Sequence, residues 1–403
     1  MNKKILSYIL IGLFSVFIFS CSETNPTSNE TSLNKEPTSG RGAIVSKQLI
    51  KSSTISEIDS FLRSQNLTVK IKNGVDEYKI VYETIDPKGN KINASGFLAI
   101  PNSGNGSYPI ASYQHGTVFE RNNVPSARNY ESTIPILYCA SGGYVSPATD
   151  YLGLGDSPGF HPYVVAKPTA TSVIDMIRAS KWMCKRLGVK LNSQLFLYGY
   201  SEGGYATMAT HKEIEQNYST EFNLVASSPM AGPYDLSNVM SNLLITNKQY
   251  RSPGFLPYTV LSYQSVYNMY SSFSEVFKDQ YLTPIENWYT NVTQAINYQL
   301  PSVPRDMLTN DFISKFQNDP NFIINRRLYE NDLTRWSPVA PMKLSHSTED
   351  DLVPYQNTIN AYNSFKTLGS KNVVLDTNKL GVHETAAGPL LTLNMFWFDT
   401  FKK

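Results

Sequence analysis

Most of this chain alternates short strand-like runs with longer segments of helical spacing, and this order constrains the fold more than any other feature. The strands are short apolar runs such as Tyr108–Tyr113 and Gln194–Tyr198. The helices repeat apolar residues every three or four positions, as in Ser172–Leu187. This alternation predicts an α/β fold with a mostly parallel sheet and helices on both faces. The other predicted strands are Tyr144–Ala148, Asn223–Ser228, Pro341–Leu344 and Val373–Leu375, and the other predicted helices are Glu131–Ser141, Glu202–Gln216, Gln356–Thr367 and Ala387–Thr400.

The alternation is preceded by a different pattern near the N-terminus. A short helix at Ile55–Arg63 comes before two strands, Glu77–Thr84 and Lys91–Ile100. The turn-forming residues Asp86–Asn90 lie between those strands, so we predict a hairpin.

The alternation is also interrupted, between residues 235 and 336. The sixty residues 241–300 contain eight Tyr, three Phe and one Trp. One interpretation is a helical subdomain with its own aromatic core. The other is a cap whose inner face lines an apolar substrate pocket, since loops at the carboxyl edge of a sheet carry function. Both can hold, and we predict a cap inserted between core segments 46–234 and 337–403.

The composition fits an enzyme-sized globular core without a nucleic-acid surface. Of 403 residues, 41% are hydrophobic and 17% charged, which is enough for one large core with an insertion. The chain has 35 Lys and Arg against 33 Asp and Glu, so nothing indicates binding to phosphates. Metal and phosphate motifs such as HExxH, CxxC and GxxxxGK are absent from the sequence. We therefore predict no metal and no cofactor.

The first twenty residues are typical of an export signal. Lys3 and Lys4 precede the apolar run Ile5–Phe19, which is shorter than the roughly 20 residues that a membrane span needs. The sequence Ile18–Cys21 resembles a bacterial lipobox, in which the cysteine becomes the acylated first residue. We predict a signal peptide at 1–20, lipidation of Cys21, a flexible tether at 21–45, and an exported protein anchored to the bacterial outer membrane or cell surface. The alternatives are an uncleaved anchor and an ordinary signal peptide.

The pattern most specific for chemistry is Gly199-Tyr200-Ser201-Glu202-Gly203-Gly204, between a predicted strand and a predicted helix. A serine on such a tight turn has a strained backbone, so its neighbours must be small, and Gly199 and Gly203 provide that space. The helix N-terminus and the amide of Glu202 then point toward a developing oxyanion. We predict Ser201 as a nucleophile.

With this turn, the chain resembles the α/β-hydrolases, and among them the secretory lipases of fungi and bacteria (the lipase A type). Ser112–Thr117 ends a predicted strand and resembles the His-Gly oxyanion loop of that family. The position and aromatic content of the insertion also agree. The resemblance extends from about Glu77 to the C-terminus. It implies that the backbone amide of Gly116 or Thr117 joins that of Glu202 in an oxyanion hole.

The chain order of this fold, nucleophile then acid then base, selects the general base. The sequence has five histidines, His115, His161, His211, His346 and His383. Only His383 follows the segment that carries the acid, and it lies in a turn between the last predicted strand and the last predicted helix. We predict His383 as the base, and a structural role for His115 in the oxyanion loop.

The acid has three candidates. Asp350–Pro354 matches the Asp-x-x-Val-Pro motif of the family, which favours Asp350. Its neighbour Asp351 is the reserve. Asp235, after the sixth predicted strand, is a third candidate because some lipases carry their acid there.

These residues predict a lipase or carboxylesterase that works through a Ser-His-Asp triad and an acyl-enzyme. Two other hydrolases of the same fold compete with this interpretation. One is an esterase of acetyl or feruloyl sugar esters, since tyrosines can stack on sugars. The other is a serine peptidase, in which Glu202 would bind a substrate amine. A surface lipoprotein that only binds is the alternative from another class, although it would have no need of three catalytic residues.

Two cysteines follow the predicted lipidation site, Cys139 and Cys184. We place them on helices that flank opposite faces of the sheet. We therefore expect two free, buried thiols and not a disulfide.

Overall fold

The protein is described by a computed structural model that covers residues 37, 39–104, 106–290 and 299–403. The predicted signal peptide, the lipidation site Cys21 and the greater part of the predicted tether lie outside the described residues. All of the helices and strands named below belong to one compact unit, Thr38–Lys403.

Nine strands of the described chain form one sheet in the order β1-β2-β3-β5-β4-β6-β7-β8-β9. The six strands from β5 to β9 along this order run parallel to one another, while β1, β2 and β3 are antiparallel to their neighbours. The prediction of a mostly parallel α/β sheet is confirmed. The strands are β1 Ile44–Ser53, β2 Val75–Ile85, β3 Lys91–Pro101, β4 Ser107–Gln114, β5 Ser146–Thr149, β6 Lys190–Tyr200, β7 Asn223–Met230, β8 Met342–Ser347 and β9 Val373–Asn378.

Side chains alternate in direction along each strand, so the apolar strands present apolar side chains on both faces of the sheet, and helices cover both faces. In β6, Phe196 and Tyr198 belong to a core with the last helix, while Leu195 and Leu197 belong to a core with α3. The helices are α1 Ile55–Ser64, α2 Thr133–Leu137, α3 Ala166–Arg186, α4 Glu202–Asn217, α5 Ser241–Ile245, α6 Phe255–Tyr267, α7 Asp279–Thr290, α8 Asn310–Asn318, α9 Ile323–Glu330, α10 Gln356–Thr367 and α11 His383–Asp399.

The helix predicted at Glu131–Ser141 is divided into three short pieces. A 3₁₀ turn at Tyr130–Ser132 leads into α2, and a π turn follows at Tyr138–Gly142. The segment ends at Gly143, which has a left-handed φ of 68°. Its apolar side chains are buried in all three pieces. The spacing of apolar residues therefore could not distinguish one continuous helix from these short 3₁₀, α and π turns.

The folded chain begins earlier than predicted. Arg41 Nε lies 3.0 Å from both carboxylate oxygens of Asp175 on α3, and Ala43 is buried. The strand β1 starts at Ile44 and pairs with β2. The tether boundary at residue 45 was therefore wrong, because contacts with residues far along the chain hold 41–45 in place.

The described residues of 235–336 are mainly helical and contain α5 to α9. Their buried aromatic side chains, including Tyr258, Tyr263 and Trp288, pack in one cluster with Tyr205 of α4 and Leu344 of β8. The insertion therefore shares its aromatic core with the sheet domain.

The two cysteines are free and buried, as predicted. Cys139 lies in the apolar cluster on one face of the sheet and Cys184 in the cluster on the other. Burial raises the pKa of the Cys139 thiol. Among the described helices, none has both the length and the apolar character that crossing a bilayer requires.

Candidate active site

The predicted nucleophile Ser201 lies on a sharp turn between β6 and α4. Its backbone has φ 62° and ψ −124°, a region that non-glycine residues rarely adopt. The amide of Ser201 donates to the carbonyl of Met230 on β7 at 3.0 Å, which fixes this conformation. The turn lies at the carboxyl edge of the parallel strands, where open α/β sheets bind ligands.

The glycines around Ser201 allow this turn to approach the end of β4. A Cβ atom on Gly203 would lie 1.9 Å from the carbonyl oxygen of Gln114, and one on Gly199 would lie 2.5 Å from the same oxygen. Real Cβ atoms essentially never come that close to backbone. The sequence argument that both neighbours must be small therefore has a specific cause, which is backbone contact with β4.

The loop after β4 brings the predicted oxyanion residues to Ser201. A Cβ atom on Gly116 would lie 4.0 Å from Cβ of Ser201. His115 holds this loop, because its Nδ1 donates to the Gly116 carbonyl at 2.7 Å and its own carbonyl accepts from the Tyr151 hydroxyl at 3.0 Å. Thr117 follows, with its hydroxyl 3.4 Å from that of Tyr163. Glu202 is the first residue of α4, so its amide is one that a helix leaves without an internal acceptor.

Asp350 and His383 are in direct contact. The Asp350 carboxylate oxygen Oδ2 lies 2.6 Å from Nδ1 of His383, and the Asp350 side chain has no exposed surface. The loop after β8 carries Asp350 and the start of α11 carries His383, so both lie at the sheet edge that carries Ser201. Tyr200, which precedes Ser201, donates its hydroxyl to the His383 carbonyl at 2.7 Å.

His346 is a partner of Asp350 that the sequence argument did not assign. Its Nε2 lies 3.1 Å from Asp350 Oδ2 and 3.0 Å from the Val353 carbonyl. Since both are acceptors, Nε2 carries a hydrogen. The other oxygen, Oδ1, accepts from the amides of Leu352 and Val353 at 2.9 and 2.8 Å. The position of His346 four residues before Asp350 was visible in the sequence, but its contact was not.

This environment keeps Asp350 ionised. Burial acts to raise the pKa of Asp350, but hydrogen bonds and charge from His346 and His383 outweigh it. The resulting pKa lies well below the ordinary value for an aspartate.

The two other acid candidates have different partners. Asp351 Oδ1 accepts from the backbone amide of His383 at 3.2 Å, while Oδ2 pairs with Arg251 at 3.0 Å. The Asp235 carboxylate accepts from the side-chain amides of Asn238 and Asn360. Of the three aspartates, Asp350 is thus the one whose side chain is recorded in contact with the His383 ring.

Ser201 also lines a pocket of about 870 Å³ of empty space, its mouth included. Fifteen of its twenty lining residues have wholly apolar side chains, and none is charged. Fifteen of the twenty come from 235–336, among them Leu244, Leu256 and Phe312. The side chains of the insertion therefore form most of an apolar chamber that opens to Ser201. Within the described residues, no cluster of His, Cys, Asp or Glu side chains could hold a metal ion.

The side chain of Glu202 has a buried partner that the sequence did not indicate. Its Oε1 lies 2.6 Å from Nε2 of His161, and both side chains are only 2% exposed. Forty-one residues separate the two in sequence, and no spacing or motif connects them.

Substitution of Gly203 by Ala tests the contact with β4. Because the new methyl group would overlap the Gln114 carbonyl, we expect a loss of about 3 kcal/mol in the free energy of unfolding and a large loss of any activity of Ser201. Urea unfolding checks the first part. Gly106→Ala is the control, since a Cβ atom there would come no closer than 3.6 Å to its nearest neighbour, and Ala should change the free energy of unfolding little. Equal stability of G203A and wild type would contradict the prediction.

The lowered pKa of Asp350 predicts how stability depends on pH. Its folded-state pKa lies below the unfolded value of about 4, so its contribution is full above that pH and is lost as the pH falls. We expect the free energy of unfolding of wild type to fall more steeply than that of Asp350→Asn between about pH 5 and pH 3. Urea titrations at several pH values measure both slopes. Asp351→Asn, at an exposed ion pair, should keep the wild-type slope; parallel curves for wild type and D350N would refute the assignment.

Solved structures with high similarity place this fold among known proteins. A protein of Legionella pneumophila known from its crystal structure is 31% identical, with a TM-score of 0.82, and the match covers 89% of this chain and 98% of that one. The rice cell wall degrading esterase LipA of Xanthomonas oryzae is 29% identical with a TM-score of 0.78, over 88% of this chain and 96% of that one. The chain therefore has the α/β-hydrolase fold.

The sequence comparisons identify the family. A secreted triacylglycerol lipase of Malassezia furfur is 26% identical over an alignment of 244 residues, and the match covers 57% of this chain and 49% of that protein. The chain thus spans about half the length of this curated relative. The family model for secretory lipases matches residues 126–397, which include Ser201, Asp350 and His383. This protein belongs to the secretory lipase family.

Proposed function

We propose that the protein is a serine ester hydrolase of the lipase or carboxylesterase type, with Ser201 as nucleophile, His383 as base and Asp350 as acid. The observation that carries the proposal is the 2.6 Å contact between the Asp350 carboxylate and the His383 ring. The His383 carbonyl accepts from Tyr200, the residue before a strained serine that lines an apolar pocket. Membership of the secretory lipase family supports the same conclusion.

The proposed mechanism follows from the partners of each group. Asp350 accepts the Nδ1 hydrogen of His383, which leaves Nε2 free to take the proton of Ser201. The serine oxygen attacks the ester carbonyl, and the amides of Glu202 and of Gly116 or Thr117 stabilise the oxyanion, each such donor typically contributing about 3 kcal/mol. His383 then gives its proton to the departing alcohol. A water activated by His383 releases the acid from the acyl-enzyme.

The apolar pocket favours binding of the acyl chain of an ester substrate. It contains no charged side chain, so it favours a hydrocarbon over a charged group. A peptidase is less well supported, because the carboxylate of Glu202 is buried against His161 and is not open to a substrate amine. An esterase of plant-wall sugar esters is the second candidate, which the similarity to the Xanthomonas oryzae esterase favours.

The test is turnover by the full-length protein on p-nitrophenyl esters of increasing acyl length, on acetylated xylan and on an aminoacyl nitroanilide. We expect rates that peak at medium or long acyl chains, because the pocket is apolar. Ser201→Ala should lower kcat by about a million-fold. Asp350→Asn should lower it by about ten-thousand-fold, since the imidazole loses its orienting acceptor, whereas Asp351→Asn should cost less than about tenfold.

Several outcomes would contradict this proposal. Retained activity in S201A would show that Ser201 is not the nucleophile. A larger loss of kcat in D351N than in D350N would show that Asp351, and not Asp350, is the acid. Activity confined to acetyl esters would favour the sugar esterase, and cleavage of the nitroanilide alone would favour a peptidase. No turnover of any of these substrates would favour a binding protein. Leu244→Trp narrows the pocket and should shift the preference to shorter chains, while Leu393→Trp, on an exposed face of α11, should not.

We also propose export and lipid anchoring through Cys21. The secretory family and the relative described as secreted support export. The sequence before Cys21 supports the anchor, although it lies outside the described residues.

Replacement of the cysteine tests the anchor. Cys21→Ala removes the thiol that would be acylated, so the protein should move from the membrane fraction to the soluble fraction of the cell envelope. Ser22→Ala is the control and should stay with the membrane. Growth with radiolabelled palmitate is the direct readout: wild type and S22A should carry label that C21A lacks, and an unlabelled wild type would contradict the lipidation proposal.

A further inference from the structure

The residue next to Ser201 is a glutamate whose carboxylate is buried. Glu202 Oε1 lies 2.6 Å from Nε2 of His161, and each side chain is 2% exposed. A bare carboxylate at this position would place a negative charge beside the carbon–oxygen bond that becomes an oxyanion in the proposed function. The inference below rests on that function.

The hydrogen bonds fix the number of protons that the pair holds. His161 Nδ1 lies 2.9 Å from the Leu152 carbonyl, which can only accept, so Nδ1 carries a hydrogen. The 2.6 Å contact between Nε2 and Glu202 needs one more hydrogen, on either the nitrogen or the oxygen. In the first case the pair is imidazolium and carboxylate, and in the second it is imidazole and carboxylic acid. Its net charge is zero in both.

The His161–Glu202 pair lies among buried aromatic rings, where a net charge would be costly. The ring of His161 stacks on Tyr151 with centroids 5.6 Å apart and lies 6.0 Å from the ring of Tyr258. The second oxygen of Glu202 is buried and has no hydrogen-bond partner among the described residues. Because both side chains are almost fully buried, an unpaired charge here would be screened less than a charge at the surface.

We propose that His161 is a positioning residue that neutralises Glu202, so that the helix N-terminus and the amides at Ser201 act on the oxyanion without an opposing charge. The same bond fixes the first residue of α4, whose amide is a proposed oxyanion donor. His161 is itself held by the insertion, because Ser262 on α6 donates to the His161 carbonyl at 2.8 Å. The aromatic insertion thereby supports the nucleophile turn through one buried histidine.

Three variants of the full-length protein separate charge from packing. His161→Gln keeps a hydrogen-bond donor for Glu202 but removes the partner that shares a proton with it and keeps the pair neutral. We therefore expect kcat to fall by about 10- to 100-fold while KM changes little, because the ester carbonyl is uncharged in the ground state. Glu202→Gln removes the charge itself and should lower kcat less than H161Q does. The double variant H161Q/E202Q should recover most of the kcat that H161Q loses.

Recovery of kcat in H161Q/E202Q is the result that distinguishes charge neutralisation from packing, because a purely structural role of His161 would not give it. A double variant as slow as H161Q, or an H161Q enzyme with wild-type kcat, would overturn the proposal. His211→Gln is the matched control, because His211 also pairs with a glutamate on α4, at 2.7 Å from Glu215, but lies about 15 Å along the helix from Ser201. It should lower stability and leave kcat unchanged.

Two further measurements guard the conclusion. Rates are expressed per Ser201 that reacts to completion with a fluorophosphonate, so a poorly folding H161Q cannot imitate a catalytic defect. In wild type, the short hydrogen bond should give a downfield proton resonance that E202Q lacks, and persistence of every downfield signal in E202Q would also overturn the proposal. If S201A proves active, both this inference and the proposed function fail; if S201A is inactive and H161Q is not impaired, only this inference fails.

Discussion

The rest of the candidate site depends on how closely the turn after β6 approaches the end of β4. Gly203 leaves room for the Gln114 carbonyl, and Ser201 accepts a left-handed backbone that typically costs about 1–3 kcal/mol. The hydrogen bond from Ser201 to Met230 anchors the turn on its other side. Because β4 and β7 both flank β6, the central strands of the sheet hold the serine, and the oxyanion loop that continues from β4 reaches it directly.

The insertion contacts the acid and base segments as well as the pocket. The Tyr250 hydroxyl donates to the Leu352 carbonyl at 2.9 Å, and Arg251 forms ion pairs with Asp351 and Glu384. The ion pairs are half-exposed and contribute little each, whereas the buried tyrosine contact is the more stabilising. A movement of the insertion away from the core would break contacts beside the acid and the base together with the walls of the pocket.

Sequence reasoning succeeded where local pattern decides structure. The helix Gln356–Thr367 begins and ends as predicted, and the serine turn lies between the predicted strand and helix. It failed where distant contacts decide. The edge strand β1 shows no clean alternation, since five consecutive residues, 45–49, are exposed, and Arg41 is ordered by Asp175, 134 residues away. The partners of Asp350 and Glu202 are equally invisible to spacing, because the fold brings them together.

Each buried carboxylate near Ser201 accepts hydrogen bonds from neighbouring protein groups. Asp350 is hydrogen-bonded by two histidines and two amides, Glu202 by His161, and Glu131 by the Tyr113 hydroxyl. Each of these carboxylates thus has at least one hydrogen-bond donor within the core, as burial demands. In the proposed reaction the oxyanion adds a new negative charge at this edge of the sheet. Backbone amides that are already fixed by the turn can stabilise it without reorganisation, so the strain at Ser201 serves the chemistry.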